Sequence, residues 1–277
     1  MQWSDWEEVS KFTFTDIRYE KKRRAEGGQV ARITIDRPER LNAFTDHTIK
    51  EWNEAFDDAS NDALVGVVVL TGAGDRAFSA GGDIKWEGIR TRAQFFMDDA
   101  PARALRLCRK PVIAAVKGYA IGGGNLMSYF CDITIAGENA IFGQNGPVVA
   151  SPADGYIVRY LVRVVGIKKA REIWMLCRRY SAQEALDMGL VNAVVPVDQV
   201  EVEVDKWADE ILAKNPTCIE ILKASFDAEI DEMVGSFRRY VQLVAPDFPL
   251  GPEVQEAQQA FWEKRPPNFW QFREGVH

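Results

Sequence analysis

Histidine is nearly missing from this chain. Its 277 residues hold two, His47 and His277, one early in a run with helical periodicity and one terminal. A Ser-His-Asp triad, a Cys-His pair or a histidine-based metal centre has almost nothing to draw on. Acid–base work therefore falls to carboxylates, tyrosine or bound water. Cysteine is thin too. Cys108, Cys131, Cys177 and Cys218 are widely spaced in apolar contexts; they read as reduced core thiols, neither disulfides nor a metal site. No apolar run reaches the ~18–20 residues of a membrane span. The start, Met1-Gln2-Trp3-Ser4-Asp5-Trp6-Glu7-Glu8, lacks the basic-then-apolar order of a signal peptide, so a soluble, cytoplasmic protein is expected. Basic residues are outnumbered, 34 against 41 acidic for a net charge of −7, which argues against nucleic acid as a partner. The sequence carries no repeats and no low-complexity tract.

What is present is an alternation of strand and helix patterns through the first two-thirds of the chain. Val30–Ile35, Val65–Leu70, Pro111–Val116, Ile133–Ala136 and Ala193–Val197 read as strands. Asp46–Ala59, with Thr45 or Asp46 as N-cap, then Arg90–Cys108, Gly155–Val165, Lys168–Cys177 and Ala182–Met188 read as helices. From about Val200 the pattern turns helical, with Val202–Lys214, Cys218–Phe226 and Pro252–Trp262. This predicts an α/β fold: a core over residues 1–200 and a C-terminal helical subdomain over 201–277. Gly72-Ala73-Gly74-Asp75-Arg76-Ala77 fits a dinucleotide-binding glycine pattern. That pattern needs a helix to begin inside it, and Phe78-Ser79-Ala80-Gly81-Gly82 would break one, so a turn is expected.

Two further glycine signatures each follow an apolar strand. Ala80-Gly81-Gly82-Asp83-Ile84 comes after Val65–Leu70, and Ile121-Gly122-Gly123-Gly124-Asn125 comes after Pro111–Val116 and opens a helical stretch, Asn125–Phe130. Two side-chain-free turns can converge two backbone N–H groups on a carbonyl oxygen that takes on negative charge. The helix start adds a favourable dipole.

These segments resemble the crotonase (enoyl-CoA hydratase/isomerase) superfamily. So do Asp36-Arg37-Pro38-Glu39-Arg40-Leu41-Asn42-Ala43-Phe44, Lys110–Gly118, Cys131-Asp132-Ile133 and Ala140-Ile141-Phe142-Gly143-Gln144. Lys168–Trp174, Gln183–Asn192 and Glu263–Phe269 resemble the branch of 1,4-dihydroxy-2-naphthoyl-CoA synthase and 2-ketocyclohexanecarboxyl-CoA hydrolase. The resemblance implies a repeated ββα spiral, an acyl-CoA substrate, a thioester oxygen held by the N–H groups of Gly82 and Gly123, and a homotrimer or homohexamer. The aromatic pairs Phe261-Trp262 and Phe269-Trp270 suit such an assembly. It also implies CoA contacts from Arg40, Leu41 and Ala43, with Lys264 and Arg265 reaching the nucleotide phosphates. CoA comes as part of the substrate, and no tightly bound cofactor or metal is expected.

The chemistry departs from the commonest members. Hydratases of the superfamily carry two glutamates at positions that are Leu126 and Gly146 here, and neither can move a proton. In the synthase and ring-hydrolase branch a Gly-Pro is followed by a serine and then an aspartate two residues on. Here Gly146-Pro147 and Ser151 are kept, but that position is Ala153, and the carboxylate is Asp154. The synthase's C-terminal tyrosine falls near Phe248-Pro249. Asp154 matches the aspartate of dienoyl-CoA isomerase and 4-chlorobenzoyl-CoA dehalogenase. It is a candidate base or acid, or an N-cap for the helix behind it. Ser151 is a candidate hydrogen-bond donor. Gln144 and Asn145 are candidate polar contacts, and Tyr129, Tyr156 and Trp86 pocket or core residues. If Asp154 is only a cap, the base is a water or bicarbonate held near Gly146 and Ser151. The expected activity is ring opening or closing at a C–C bond of a cyclic acyl-CoA. The alternatives are an isomerase or atypical hydratase of an unsaturated acyl-CoA, and a non-catalytic acyl-CoA-binding protein.

Overall fold

A computed structural model describes residues 3–83, 100–237 and 239–272. His277, Trp86 and the first part of the helix expected over 90–108 lie outside them. A seven-stranded sheet runs in the order β1-β2-β3-β4-β6-β8-β11: β1 (Glu7–Glu8), β2 (Ile17–Arg23), β3 (Gln29–Ile35), β4 (Val65–Gly72), β6 (Val112–Val116), β8 (Ile133–Gly137) and β11 (Ala193–Val195). Pairing is antiparallel from β1 to β3 and parallel from β3 onward. A smaller sheet, ordered β10-β9-β7-β5, is made by β5 (Ala77–Ser79), β7 (Tyr119–Ile121), β9 (Ile141–Gly143) and β10 (Tyr180–Ser181). The α/β class expected from the sequence holds.

The central strands read as continuous apolar runs because both faces of the large sheet are covered. Alternation still sorts the side chains. Val68 and Leu70 of β4 and Val112 and Ala114 of β6 join one core with Trp52 and Phe56. Val67, Val69, Ile113 and Ala115 join the other with Val204 and Ala208. The first face is covered by α1 (Asp46–Asn61), whose N-cap is Thr45, with a capping box to Thr48. The second is covered by α6 (Val200–Leu212). The helical run therefore begins at residue 200 as the sequence suggests, yet its first helix packs with the sheet.

The other helices are α2 (Ala100–Leu107), α3 (Gly123–Phe130), α4 (Tyr156–Leu176), α5 (Ala182–Asp187), α7 (Pro216–Val234), α8 (Arg239–Val244) and α9 (Pro252–Trp262). Gly166, at φ 75°, interrupts α4 and leaves the two helical stretches expected over 155–177. The glycine-rich segment after β4 is the turn into β5, with no helix. Cys108 and Cys131 are core thiols as expected, and burial pushes Cys108 up to about 11. Cys218 corrects the expectation: it is exposed, one turn into α7, where the helix turns that side to solvent. Among the described residues no helix is long and apolar enough to cross a membrane, and no cluster of His, Cys, Asp and Glu could hold a metal ion.

Candidate active site

The loop leaving β3 is stitched to the turn leaving β5. Leu41 and Asn42 take left-handed backbone angles, φ 53° and 54°, which cost a non-glycine residue about 1–2 kcal/mol each. Asn42 is fully buried and offsets the cost with three hydrogen bonds. Its Oδ1 accepts from the Arg37 N–H (3.0 Å), and its Nδ2 donates to the carbonyls of Ala73 (3.0 Å) and Ala77 (2.6 Å). The Ala80 N–H donates to Leu41 O (2.9 Å). Ser79 Oγ donates to Asn42 O (2.7 Å) and accepts from the Gly81 N–H (3.1 Å). Phe44 then forms a parallel bridge to Gly82, with Phe44 N donating to Gly81 O and Asp83 N donating to Phe44 O, each at 2.9 Å. A parallel bridge uses the groups flanking its central residue. The N–H of Gly82 itself therefore points to the other side, and among the described residues it finds no acceptor.

The second donor comes from α3. Gly123 is its first residue, after a Gly122 at φ 57° whose N–H is taken by Gly143 O (2.9 Å). A first-turn N–H has no partner within its helix, and Gly123 finds none elsewhere among the described residues. The two turns touch: a Cβ on Gly81 would sit 2.9 Å from the Gly123 nitrogen, and one on Gly123 would sit 3.3 Å from Gly81 Cα. Gly82 and Gly123 both line one cleft of about 880 Å³. Two unpaired amides at the end of a helix dipole are suited to an oxygen gaining negative charge.

Leu126 and Gly146 line this same cleft, so the two hydratase positions are in the wall and carry no carboxylate. A Cβ on Gly146 would meet Ser151 O at 2.5 Å, and Ser151 N donates to Gly146 O (3.0 Å); the loop is folded tightly onto that glycine. Ser151, Gln144 and Asn145 line the cleft as well. Gln144 is 1% exposed, and its Nε2 has no acceptor among the described residues, nor has Trp174 Nε1 in the same wall. Tyr129 and Tyr156 are core residues, the former donating from its hydroxyl to Ile157 O (3.0 Å).

Asp154 is placed differently from either role considered above. It lines no part of the cleft. Gly155 is the N-cap of α4, and Asp154 Oδ2 instead accepts from the N–H groups of Tyr240 and Val241 (3.0 Å each), in the first turn of α8. A carboxylate at a helix start satisfies donors the helix cannot. The sequence could show the carboxylate beside a helix, but not which helix it caps.

Arg40, Leu41 and Ala43 line the cleft, and Arg40 makes no ion pair among the described residues. Lys264 and Arg265 do not line it. Arg265 grips Glu256 through two bonds of 2.5 and 3.0 Å and Glu263 through one of 2.5 Å. Arg265, with the Asn268 N–H, holds the Glu256 carboxyl down to about 2. The helix that precedes them, α9, reaches the cleft through Phe261 and Trp262 instead. Sequence reasoning also missed Arg179, which donates to Gln144 O (2.8 Å) and Asn145 Oδ1 (3.1 Å) and so fixes that wall. No local motif marks it. Asp83, 3.8 Å from the Arg37 guanidinium, is the carboxylate among the described residues of the cleft; it sat unremarked inside the first glycine signature.

Comparison with known proteins gives the family. The pattern of the enoyl-CoA hydratase/isomerase family matches residues 25–272, and the chain belongs to that family. An enoyl-CoA hydratase/isomerase from Xanthobacter autotrophicus Py2 is 32% identical, with 95% of each chain covered and a TM-score of 0.75. An enoyl-CoA hydratase from Mycobacterium avium subsp. paratuberculosis K-10 is 30% identical over 93% of this chain and 99% of that one, TM-score 0.77. A methylmalonyl-CoA decarboxylase in complex with 2-nitronate-propionyl-CoA, 24% identical over 93% and 99%, superposes with a TM-score of 0.82 and shares the fold. The chain is thus an acyl-CoA-processing enzyme of the crotonase superfamily.

Proposed function

We propose that this enzyme opens or closes a ring at a C–C bond of a cyclic acyl-CoA, acting as a hydrolase or lyase in the cytoplasm. The observation that carries the reading is the composition of one cleft. Two unpaired amides, of Gly82 and Gly123, share it with Leu126 and Gly146, so an oxyanion site is kept where the water-handling glutamates are gone. The amides hold the thioester oxygen as an enolate forms, whichever bond to the α-carbon gives up its electrons. Losing one such donor typically costs ~10²–10³ in rate. Arg40 stands ready for a CoA phosphate, with Leu41 and Ala43 beside it. No tightly bound cofactor is invoked. A bicarbonate or water beside Gly146 and Ser151 would meet unpaired donors in Gln144 Nε2 and Trp174 Nε1. The enzyme works as a homotrimer or homohexamer, which would cover exposed apolar side chains such as Phe226, Val244 and Trp270.

The test is a mass-spectrometric screen of the purified enzyme against cyclic and linear acyl-CoAs. Ring hydrolysis appears as the mass of one added water on a cyclic β-keto ester. Hydration confined to linear unsaturated esters, with no reaction of any cyclic ester, would refute the proposal. Light scattering at micromolar concentration tests the assembly, and a monomer counts against it.

A further inference from the structure

Arg179 lies where the ends of two elements meet at the cleft it lines. It follows α4, whose C-cap, Cys177, takes left-handed backbone angles, φ 51°. The segment is anchored from behind: Tyr180 pairs with Phe142 of β9, and its hydroxyl donates to Glu172 Oε1 of α4 (2.9 Å). Arg179, the residue before, reaches the cleft, and its guanidinium gathers three oxygens. Nη1 donates to Gln144 O (2.8 Å) and Cys177 O (3.2 Å), and Nη2 donates to Asn145 Oδ1 (3.1 Å). One side chain thus closes the end of α4 onto the two residues that follow β9. All three acceptors are neutral, and among the described residues Arg179 meets no carboxylate. Bonds from a charged donor are roughly twice as strong as neutral ones, and the planar fork fixes direction as a lysine could not.

The last residue of β9 passes this clamp onward. A Cβ on Gly143 would meet Arg178 O at 2.6 Å, Arg179 Nη1 at 2.9 Å and Arg179 Cδ at 3.2 Å, so the arginine lies directly against the strand's backbone. The Gly143 carbonyl accepts from the Gly122 N–H (2.9 Å). Gly122 is the N-cap of α3, at φ 57°, and has no side chain to hold it. The peptide that carries the Gly123 N–H begins at Gly122. We propose that Arg179 is a positioning residue for the Gly123 amide: by clamping the end of β9 it fixes Gly143 O, and through it the turn that aims the Gly123 N–H into the cleft. This rests on the reading above that the amide holds a thioester oxygen. Arg179 itself touches no reacting atom. Its effect is geometric, because a functional constellation must be held to within about 0.5 Å by the groups that support it.

The experiment uses the full-length enzyme with butyryl-CoA carrying ¹³C at the carbonyl. Infrared spectroscopy reads the hold on the thioester oxygen, and calorimetry reads affinity. In the wild type the bound carbonyl should stretch below its frequency in water. Arg179→Ala should lose most of that shift while affinity changes by less than ~10-fold, about one hydrogen bond's worth, since the loop around Arg40 is untouched. Guanidinium ion, added below denaturing concentration, should bring the shift back. Circular dichroism checks the fold, and where alanine disturbs it, Arg179→Gln, which keeps a donor and most of the length, gives the same reading. A merely structural role would lower the melting temperature and leave the shift whole. A full shift in folded Arg179→Ala or Arg179→Gln, or a lost shift that guanidinium does not restore, would overturn the assignment. No shift in the wild type would instead refute the reading of the amides, and the proposal with it.

Discussion

Gly81 and Gly123 lie backbone to backbone: a Cβ on Gly81 would be 2.9 Å from the Gly123 nitrogen and equally close to Ile121 O. Gly81 also sits at φ 94°. Gly81→Ala therefore meets left-handed strain of ~1–2 kcal/mol and overpacking of ~1–3 kcal/mol, with no flexible side chain to yield. Denaturant unfolding should show a loss of roughly 2–5 kcal/mol, and turnover should collapse because the paired amides part. Wild-type stability and turnover in this variant would mean the two turns are not in contact.

The glutamate missing from the second hydratase position cannot be put back by substitution alone. A side chain on Gly146 meets the Ser151 carbonyl at 2.5 Å. Leu126→Glu with Gly146→Glu should lose about 1–3 kcal/mol and gain no hydration of crotonyl-CoA, read by the fall in enoyl absorbance. Robust hydratase activity in a stable double variant would contradict the loop geometry.

Asp154 gives a third outcome. Its Oδ2 serves two N–H groups of α8, and unpaired buried donors cost ~1–3 kcal/mol each. Asp154→Ala should lower stability by at least the ~0.5–2 kcal/mol of a lost cap. Asp154→Asn, which keeps an acceptor, should lose less and turn over within a few-fold of wild type. A drop of ~10²–10⁴ in the asparagine variant at an unchanged melting temperature would restore the catalytic role considered from the sequence.

The sequence shows backbone function better than side-chain function here. Gly123 was legible because close approach admits only glycine, a Cβ there meeting the Phe44 ring at 2.6 Å, and Gly82 and Arg40 because their segments have a recognisable spelling. The parallel strands β3, β4, β6 and β8 were legible as apolar runs. The antiparallel β2 was not, since Ile-Arg-Tyr-Glu-Lys-Lys-Arg reads as surface. Its Ile17 and Tyr19 are buried, and even Lys22 is covered, paired with Asp205 beneath Trp3 and Trp6. The smaller sheet escaped because strands of two or three residues leave no period to read. The aim of Asp154 depends on α8 folding back, which no local pattern encodes.

A charge cluster around the buried Lys223 sets a pH dependence. Lys223 Nζ lies 2.7 Å from Asp132 and 3.6 Å from Asp227. Burial pushes the Asp227 carboxyl up to about 6, against the pull of Lys223, and the Asp132 charge adds to the rise. A carboxyl raised in the folded state binds its proton more tightly there than in the unfolded chain, near ~3.9. Its contribution to stability is therefore full below that value and is lost as pH rises through about 6. Melting temperatures from pH 4 to 8 should show this loss superposed on the other groups, and Asp227→Asn should remove it and gain stability above pH 6. An unchanged profile in Asp227→Asn would assign the dependence elsewhere.

The proposed function rests on the N–H groups of Gly82 and Gly123 holding the thioester oxygen. Isotope-edited infrared spectroscopy of bound butyryl-CoA, carrying ¹³C at the carbonyl, reads that contact without any turnover. The bound carbonyl should stretch below its frequency in water. The shift should shrink in Gly123→Pro, built on Phe44→Leu to clear the ring that a Cβ at 123 would meet at 2.6 Å and compared with Phe44→Leu alone. Proline is tolerated at a first helical position, so circular dichroism should stay native while one donor is gone. A bound carbonyl at its aqueous frequency, or a full shift in the folded proline variant, would contradict the account.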